Sequence, residues 1–453
     1  MNGKTTDRRQ FLRALLAAGV SGAGGLGALS TLSRAHAAAS LAADASQGAD
    51  GYRALVTVFL YGGNDSFNMV VPTGAGYAEY AQARTNMAVP QAQLLNFPGT
   101  GFGFHPSMPG LQALAAQNRV AAGLNTGVLA APTNRAEYIA GASELPPQLF
   151  SHEHQQALWQ NARPTLLASN EGWLGRAADL LETAFPQQSL PFNISLQGSN
   201  TLQVGPRSVG YAATPLGPLA LDVISESEER AAVHNAILNQ TYEHPLMREH
   251  VAIRQRSLDI YSRYAQAFSP LPQLQTPFAE NELAEQLLGV ARFIAVSQQL
   301  GVQRQAFFVG IGGFDTHSAQ LSSHPGLLAT LDAGIRSFYD ATVELGLANN
   351  VTLLTLSEFG RTLGSNGDGT DHGWGGHQLV VGGAVRGGIY GQAPTLAIEG
   401  PDDAEEGRLI PTLALEEFLA PAMRWYGVSE SELDLVFPNL YRFNRRDLGY
   451  MPA

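Results

Sequence analysis

Carboxylate and imidazole groups crowd the stretch Ser357-Glu358-Phe359-Gly360-Arg361-Thr362 and, a few residues on, Thr370-Asp371-His372-Gly373-Trp374-Gly375-Gly376-His377. Two smaller clusters lie upstream, Gly62-Gly63-Asn64-Asp65-Ser66 and Gly312-Gly313-Phe314-Asp315-Thr316-His317. Neutral imidazole and carboxylate are the natural donors of zinc or manganese, and carboxylate oxygen also suits magnesium and calcium. Divalent metal ions are therefore expected, zinc first. Asp315 and His317 are alternate residues, so in extended backbone they project to the same side and can reach one ion. His372 is the single most pointed ligand of the set, and His377 is either a ligand or a partner of one. Asp371 sits beside them in a glycine-rich loop that is costly to order without a reason such as a metal. Glu358 can hold a second ion. Arg361 can pair with Glu358 or grip an anionic oxygen in its planar fork. The glycine pair before Asp65 lets the backbone turn sharply and aim that carboxylate over a sheet edge. Ser151 precedes a helix-like segment, where backbone N–H groups attract an oxyanion. It reads either as a plain N-cap or as a nucleophile activated by metal rather than by a base. Plainer alternatives stand beside the others too. Asp65 can cap its own turn, Asp315 and His317 can tie a loop, and Glu358 with Arg361 can form a structural salt bridge.

These groups need elements to gather them. Each main cluster follows an apolar run that reads as a buried strand: Ala54 to Tyr61, Gln305 to Ile311, and Val351 to Leu356. Open α/β sheets carry their chemistry beyond the carboxyl ends of such strands. Further strands are expected at 120–124, 191–196 and 378–383. Helices are expected at 106–118, from about 151, and at 174–181, 325–347 and 413–426. This alternation predicts an α/β fold with a doubly wound, mostly parallel sheet and helices on both faces. From Glu226 to Phe268 the chain is polar and nearly free of glycine, with Pro245 as a break, and 278–300 is amphipathic. Together they predict a helical insertion at about 226–300 within a single α/β domain spanning 52–445.

The first 37 residues are set apart from that domain. Arg8-Arg9 precedes a mildly apolar, Ala- and Gly-rich stretch that ends in Ala35-His36-Ala37. This is the pattern of a cleaved twin-arginine export signal. The expected partner is the twin-arginine translocation machinery, and the expected location is the periplasm or outside the cell. No stable membrane span is expected after cleavage, because the stretch is too weakly hydrophobic. The formal charge of -12 falls to about -16 once the signal is removed, since it holds Lys4, Arg8, Arg9, Arg13 and Arg34 against Asp7. With no basic patch, a nucleic-acid partner is not expected. The chain has no cysteine, which excludes disulfides, thiol nucleophiles and iron–sulfur clusters. It also lacks a Gly-x-Ser-x-Gly elbow, a phosphate-binding Walker loop and a His-Glu-x-x-His zinc motif.

Taken in order, the twin-arginine leader, Leu60-Tyr61-Gly62-Gly63-Asn64-Asp65, Phe150-Ser151-His152, Gly313-Phe314-Asp315-Thr316-His317, Ser357 to Thr362 and Asp371-His372-Gly373 resemble an exported bacterial family called domain of unknown function 1501. That family is similar to the alkaline phosphatase superfamily of phosphatases, sulfatases and phosphomutases. The resemblance implies an alkaline-phosphatase-like sheet with a two-metal site. Asp65, Glu358 and the nucleophile would hold one ion, and Asp315, His317 and His372 the other. The superfamily's third strand usually ends in an Asp-His pair, where this chain has Glu358-Phe359. The sulfatase motif is absent around Ser151. The resemblance therefore implies an exported metal-dependent hydrolase of a small anionic, phosphate-type or related ester. Ser151 or a water would attack, and Arg361 would hold substrate oxygens. The alternative is a non-catalytic metal-binding or scaffold protein of the same fold.

Overall fold

Three apolar strands that end in register determine where this chain can do chemistry. The computed structural model describes residues 51–219, 227–269, 271 and 273–452; the expected twin-arginine leader lies outside them. The strands are β1 (Arg53–Leu60), β2 (Val70–Pro72), β3 (Leu95–Phe97), β4 (Phe102–Phe104), β5 (Val120–Gly127), β6 (Asn193–Ser195) and β7 (Tyr211–Thr214). They continue with β8 (Gly217–Pro218), β9 (Arg304–Ile311), β10 (Val351–Leu356), β11 (Gly376–Gly382), β12 (Gly388–Tyr390) and β13 (Leu413–Ala414). Ten of them form one sheet in the order β12-β5-β11-β10-β1-β9-β6-β7-β8, with β13 added against β5. Strands β2, β4 and β3 make a small antiparallel sheet.

In β1, Leu55, Val56, Val58, Phe59 and Leu60 are all fully buried. Alternate residues of a strand face opposite sides, so a strand apolar throughout must be covered on both. Val56, Val58 and Leu60 share one core with Leu287, Val290 and Ile294 of the helix Glu282–Ala295 and with Leu328, Leu331 and Ile335 of the helix Gln320–Glu344. The helix Leu415–Tyr426 packs against β1, β5 and β13. Each such buried Val, Leu or Phe is worth roughly 1.5–3 kcal/mol. A one-residue slip of β1 would exchange its two faces, so the register is fixed by packing on both. The fold is thus the expected mostly parallel α/β sheet with helices on both faces.

Parallel strands β10 and β9 flank β1, with Phe59 opposite Leu356 and Leu60 opposite Ile311. Three neighbouring strands that run the same way and stop together leave their carboxyl-end loops side by side. Strand β11 departs from this pattern, because it runs antiparallel to both β10 and β5. The segment between β10 and β11 holds no helix, and only an antiparallel return can do without a crossover.

The long helix expected from Pro325 begins instead at Gln320, and Pro325 lies inside it. The missing proline N–H costs one helical bond. Tertiary anchors hold the earlier start: Ala319 N–H donates to Asp368 (2.8 Å), and the Gln320 side chain reaches Asp65 and Thr370. The helical block expected at 226–300 contains the helices Glu228–Leu238, Pro245–Phe268 and Glu282–Ala295. Pro245 opens the second of these, at the position where its missing donor costs nothing. Among the described residues no helix is long and apolar enough to cross a membrane.

Candidate metal centre

The loop after β1 turns at Gly62, whose φ of 117° suits glycine. Its N–H donates to Glu358 Oε1 at 2.8 Å, and its carbonyl accepts from Arg361 Nη1 at 3.2 Å. A Cβ there would stand 2.3 Å from the Asp315 nitrogen. Gly62 therefore joins the β1 loop to both neighbouring loops at once. Beyond β10 the chain doubles back on itself, with Arg361 bridged antiparallel to His372 and Thr362 N–H donating to the Asp371 carbonyl at 2.9 Å. The strands run close enough that a Cβ on Gly373 would lie 2.7 Å from Arg361 carbonyl carbon. This ladder carries His372 over the end of β9.

The donors meet at Asp315. His317 Nε2 lies 3.1 Å and His372 Nε2 3.2 Å from Asp315 Oδ1, and the two nitrogens are 2.9 Å apart. His152 Nε2 approaches Asp315 Oδ2 at 3.5 Å. One donor atom each from His152, Asp315 and His372 fits within a mutual 4.8 Å. The other nitrogen of every ring is engaged. His372 Nδ1 donates to the Phe150 carbonyl (2.7 Å), His317 Nδ1 to Asp371 Oδ1 (2.9 Å) and His152 Nδ1 to Glu358 Oε1 (3.0 Å). A carbonyl or carboxylate oxygen only accepts, so each Nδ1 carries a proton, and a ring in its neutral form leaves Nε2 as the free donor atom. In their neutral forms His317 and His372 turn Nε2 lone pairs toward the Asp315 carboxylate, an arrangement that a bound cation would satisfy.

The donor set fits a divalent metal. Two donors about 2.0–2.1 Å from one zinc ion stand roughly 3.3 Å apart in tetrahedral array, and the observed spacings of 2.9 to 3.2 Å are close to that. Burial, opposed by the bond to the Phe150 carbonyl, lowers the His372 pKa and favours the neutral ring that a metal needs. His152 is pushed the other way, first by its hydrogen bond to Glu358, against desolvation. For Asp315, burial would raise the carboxyl, but the Arg361 hydrogen bond and charge, with the imidazoles, outweigh it and hold it below the usual range. The side chains of Asp315, His317 and His152 are 45 %, 43 % and 33 % exposed, so a small substrate can reach the group from solvent.

The remaining expected site residues fall into other places. Asp371 accepts from His317 Nδ1 and Asn366 Nδ2, and so orients the His317 ring. Glu358 is fully buried and gathers Gly62 N–H, Gln156 Nε2 and His152 Nδ1 on one oxygen, while its Oε2 has no hydrogen-bond partner. Asp65 is fully buried too, ion-paired with Arg84 and bonded to Gln320. Among the described residues, Asp65 and Glu358 do not join a further group of three donors. His377 is buried on β11, where its Nδ1 accepts from Asn125 N–H at 3.0 Å and burial lowers its pKa to about 3. Arg361 departs most from expectation. Its side chain is fully buried, with Nη1 on Asp315 Oδ1 (2.7 Å), Nη2 on the Thr370 carbonyl and Nε on Thr370 Oγ1 (3.3 Å). The fork is occupied within the protein and holds Asp315, so it does not present donors to a substrate. Phe359, buried beneath the rings, stacks on His372 at 4.6 Å. Ser151 occupies the N-cap position of the helix His152–Asn161, yet its side chain caps nothing. Its Oγ lies 2.7 Å from His154 Nδ1 instead.

Sequence reasoning missed His152 as a donor, because attention to Ser151 made its neighbour only a flank. The signal was present: Phe150-Ser151-His152-Glu153-His154 places two imidazoles at one helix start.

No protein of curated function matches this sequence. The family described as "Protein of unknown function (DUF1501)" matches residues 52–405. Among solved structures, that of Ps i-CgsB is 10% identical, with a TM-score of 0.36 over 87% of this chain and 78% of that one. The lipoteichoic acid synthase LtaP from Listeria monocytogenes is 8% identical, with a TM-score of 0.35 over 84% and 74%. The soluble domain of lipooligosaccharide phosphoethanolamine transferase A from Neisseria meningitidis is 10% identical, with a TM-score of 0.35 over 86% and 94%.

Proposed function

This chain belongs to the DUF1501 family, and we propose that it is an exported hydrolase of phosphate-type or related esters that works with a divalent metal, zinc first. One observation carries the reading: His152, His317 and His372 each spend Nδ1 on an oxygen acceptor and turn Nε2 toward the Asp315 carboxylate. Those four residues would hold the ion. When bound, a divalent ion supplies Lewis-acid stabilisation of charge gathering on the reacting oxygens. The chain's own residues do the rest. Glu358, Asp371 and the Phe150 carbonyl fix the ring tautomers and orientations. Arg361 keeps Asp315 ionised and aimed. Phe359 closes one side of the site to water. The Arg84 guanidinium on Asp65 favours one ion here over the two-ion arrangement that the family resemblance implied.

The test is elemental analysis and ester turnover of the mature chain, recovered from the periplasm or medium of an exporting host. We expect a chain starting near Ala38, about one equivalent of bound divalent metal, and chelator-sensitive hydrolysis within a panel of phosphomonoesters, phosphodiesters, sulfate esters and carboxyl esters. Asp315→Asn and His372→Ala should lose the metal. A protein that binds no metal, or variants that keep it, would sink the reading. Bound metal without turnover on any ester would instead identify a non-catalytic metal-binding protein.

A further inference from the structure

We infer that Ser151 and His154 form a nucleophile–base pair, with His154 Nδ1 taking the proton of Ser151 Oγ; the inference rests on the ester-hydrolase reading for its substrate. A serine at an N-cap ordinarily accepts from a backbone N–H of the first turn. Ser151 occupies that position ahead of a ten-residue helix and makes no such bond. Its hydroxyl is turned to His154 Nδ1 at 2.7 Å, within the reach that an activated serine needs of its base.

The chemistry of this imidazole differs from that of the other three. His152, His317 and His372 face pure acceptors through Nδ1 and must protonate there. His154 Nδ1 faces a hydroxyl, which can donate. Its proton can therefore sit on Nε2, leaving Nδ1 bare as a base. His154 is half-buried, and among the described residues Nε2 has no hydrogen-bond partner, so it can return a proton to solvent. The pair is also tied to the metal centre on both sides along the chain. The Phe150 carbonyl accepts from His372 Nδ1, and His152 Nε2 faces Asp315. The backbone N–H groups of His152, Glu153 and His154 have no acceptor among the described residues, which favours negative charge on the adjacent oxygen.

The step balances without a further reagent. Ser151 Oγ attacks the ester phosphorus, and the Oγ–P bond forms as the bond from phosphorus to the leaving oxygen breaks. The Oγ proton passes to His154 Nδ1 and is released to solvent from Nε2, while the departing alkoxide, on the opposite side of phosphorus, takes a proton from solvent water. Water then attacks the phosphoserine, gives up a proton through His154, and releases phosphate as Oγ recovers its hydrogen. The sum is ester plus water giving alcohol plus phosphate.

The test needs no natural substrate and no metal. The mature protein, with metal first removed by chelation and then left in place, is treated with an alkyl fluorophosphonate and mapped by mass spectrometry. Attack by Oγ displaces fluoride and leaves a stable adduct. We expect the adduct on Ser151 in both preparations, none in Ser151→Ala, and labelling slowed about 10²–10⁴-fold in His154→Asn, whose amide can hold the hydroxyl but cannot take its proton. If His154→Asn melts lower than the parent, His154→Ala with added imidazole replaces it, and recovery of labelling supports the pair. Absence of an adduct on Ser151 in a folded protein, labelling of His154→Asn at the parent rate, or no rescue by imidazole overturns the inference. Failure of the metal reading registers separately, as absent bound metal with Ser151 labelling intact.

Discussion

Asp371 shows how little in the sequence separates a residue that could donate to an ion from one that aims another. It lies beside His372 in sequence, yet its carboxylate accepts from His317 Nδ1 and holds that ring's Nε2 toward Asp315. Loss of such an outer partner typically costs about 10–100-fold in metal affinity. Asp371→Asn should therefore weaken metal binding by about that factor in a competition titration against a chelating dye. Its side chain is 49 % exposed, so the metal-free protein should melt as before. Unchanged affinity would remove His317 from the ligand set. Arg361 teaches the converse. Its residue type and neighbourhood suit an anion fork, but complete burial and bonds to Asp315 and Thr370 commit it to the protein. Exposure, which residue type does not encode, separates the two roles.

At the scale of elements, the site is a junction of three loops at the ends of β10, β1 and β9. The strands were legible because apolar runs of six to eight residues ending in glycine or polar residues have few other uses in a large α/β chain. The direction of β11 was not legible, since strand composition is the same for either direction. Nor was the start of the helix Gln320–Glu344, where tertiary anchors outweighed the local preference of Pro325. The junction makes a sharp prediction. At Gly62 a side chain meets both a φ of 117° and the Asp315 nitrogen. Gly62→Ala should cost at least the backbone strain of about 1–3 kcal/mol in urea unfolding, and metal content should fall with it. Gly312→Ala is the control, because a Cβ there meets nothing within 4 Å. Equal behaviour of the two variants would show that the junction is not rigid.

At the scale of the whole molecule, burial stores a pH dependence in a residue outside the candidate site. Glu416 lies in the core, neither of its carboxyl oxygens has a hydrogen-bond partner of good geometry, and burial, opposed only weakly by a nearby backbone N–H and Asn439, raises its pKa to about 8. In the unfolded chain the group keeps its ordinary value, near 4.3. Between the two values the folded state holds the extra proton, so stability is greatest at the acid end of this window. It declines as pH rises through the folded value, by on the order of a few kcal/mol in all. Glu416→Gln, which stays neutral, should flatten that slope. The variant should match the parent in urea unfolding near pH 5 and exceed it near pH 8.5. Parallel profiles for the two proteins would show that Glu416 does not titrate in this way.

The sequence by itself determined the strands of the sheet, the crowding of imidazole and carboxylate at three strand ends, and Asp315, His317 and His372 as groups that could share an ion. These are consequences of local composition and of the rule that parallel strands present their loops at one edge. Only the tertiary structure decided which oxygen each ring's Nδ1 faces, that His152 joins them, that Arg84 pairs with Asp65, and that Ser151 faces His154 rather than the helix it precedes. Each of those depends on which acceptor stands about 3 Å from a given atom. Such distances are set by packing between segments tens to hundreds of residues apart, and no local pattern carries them.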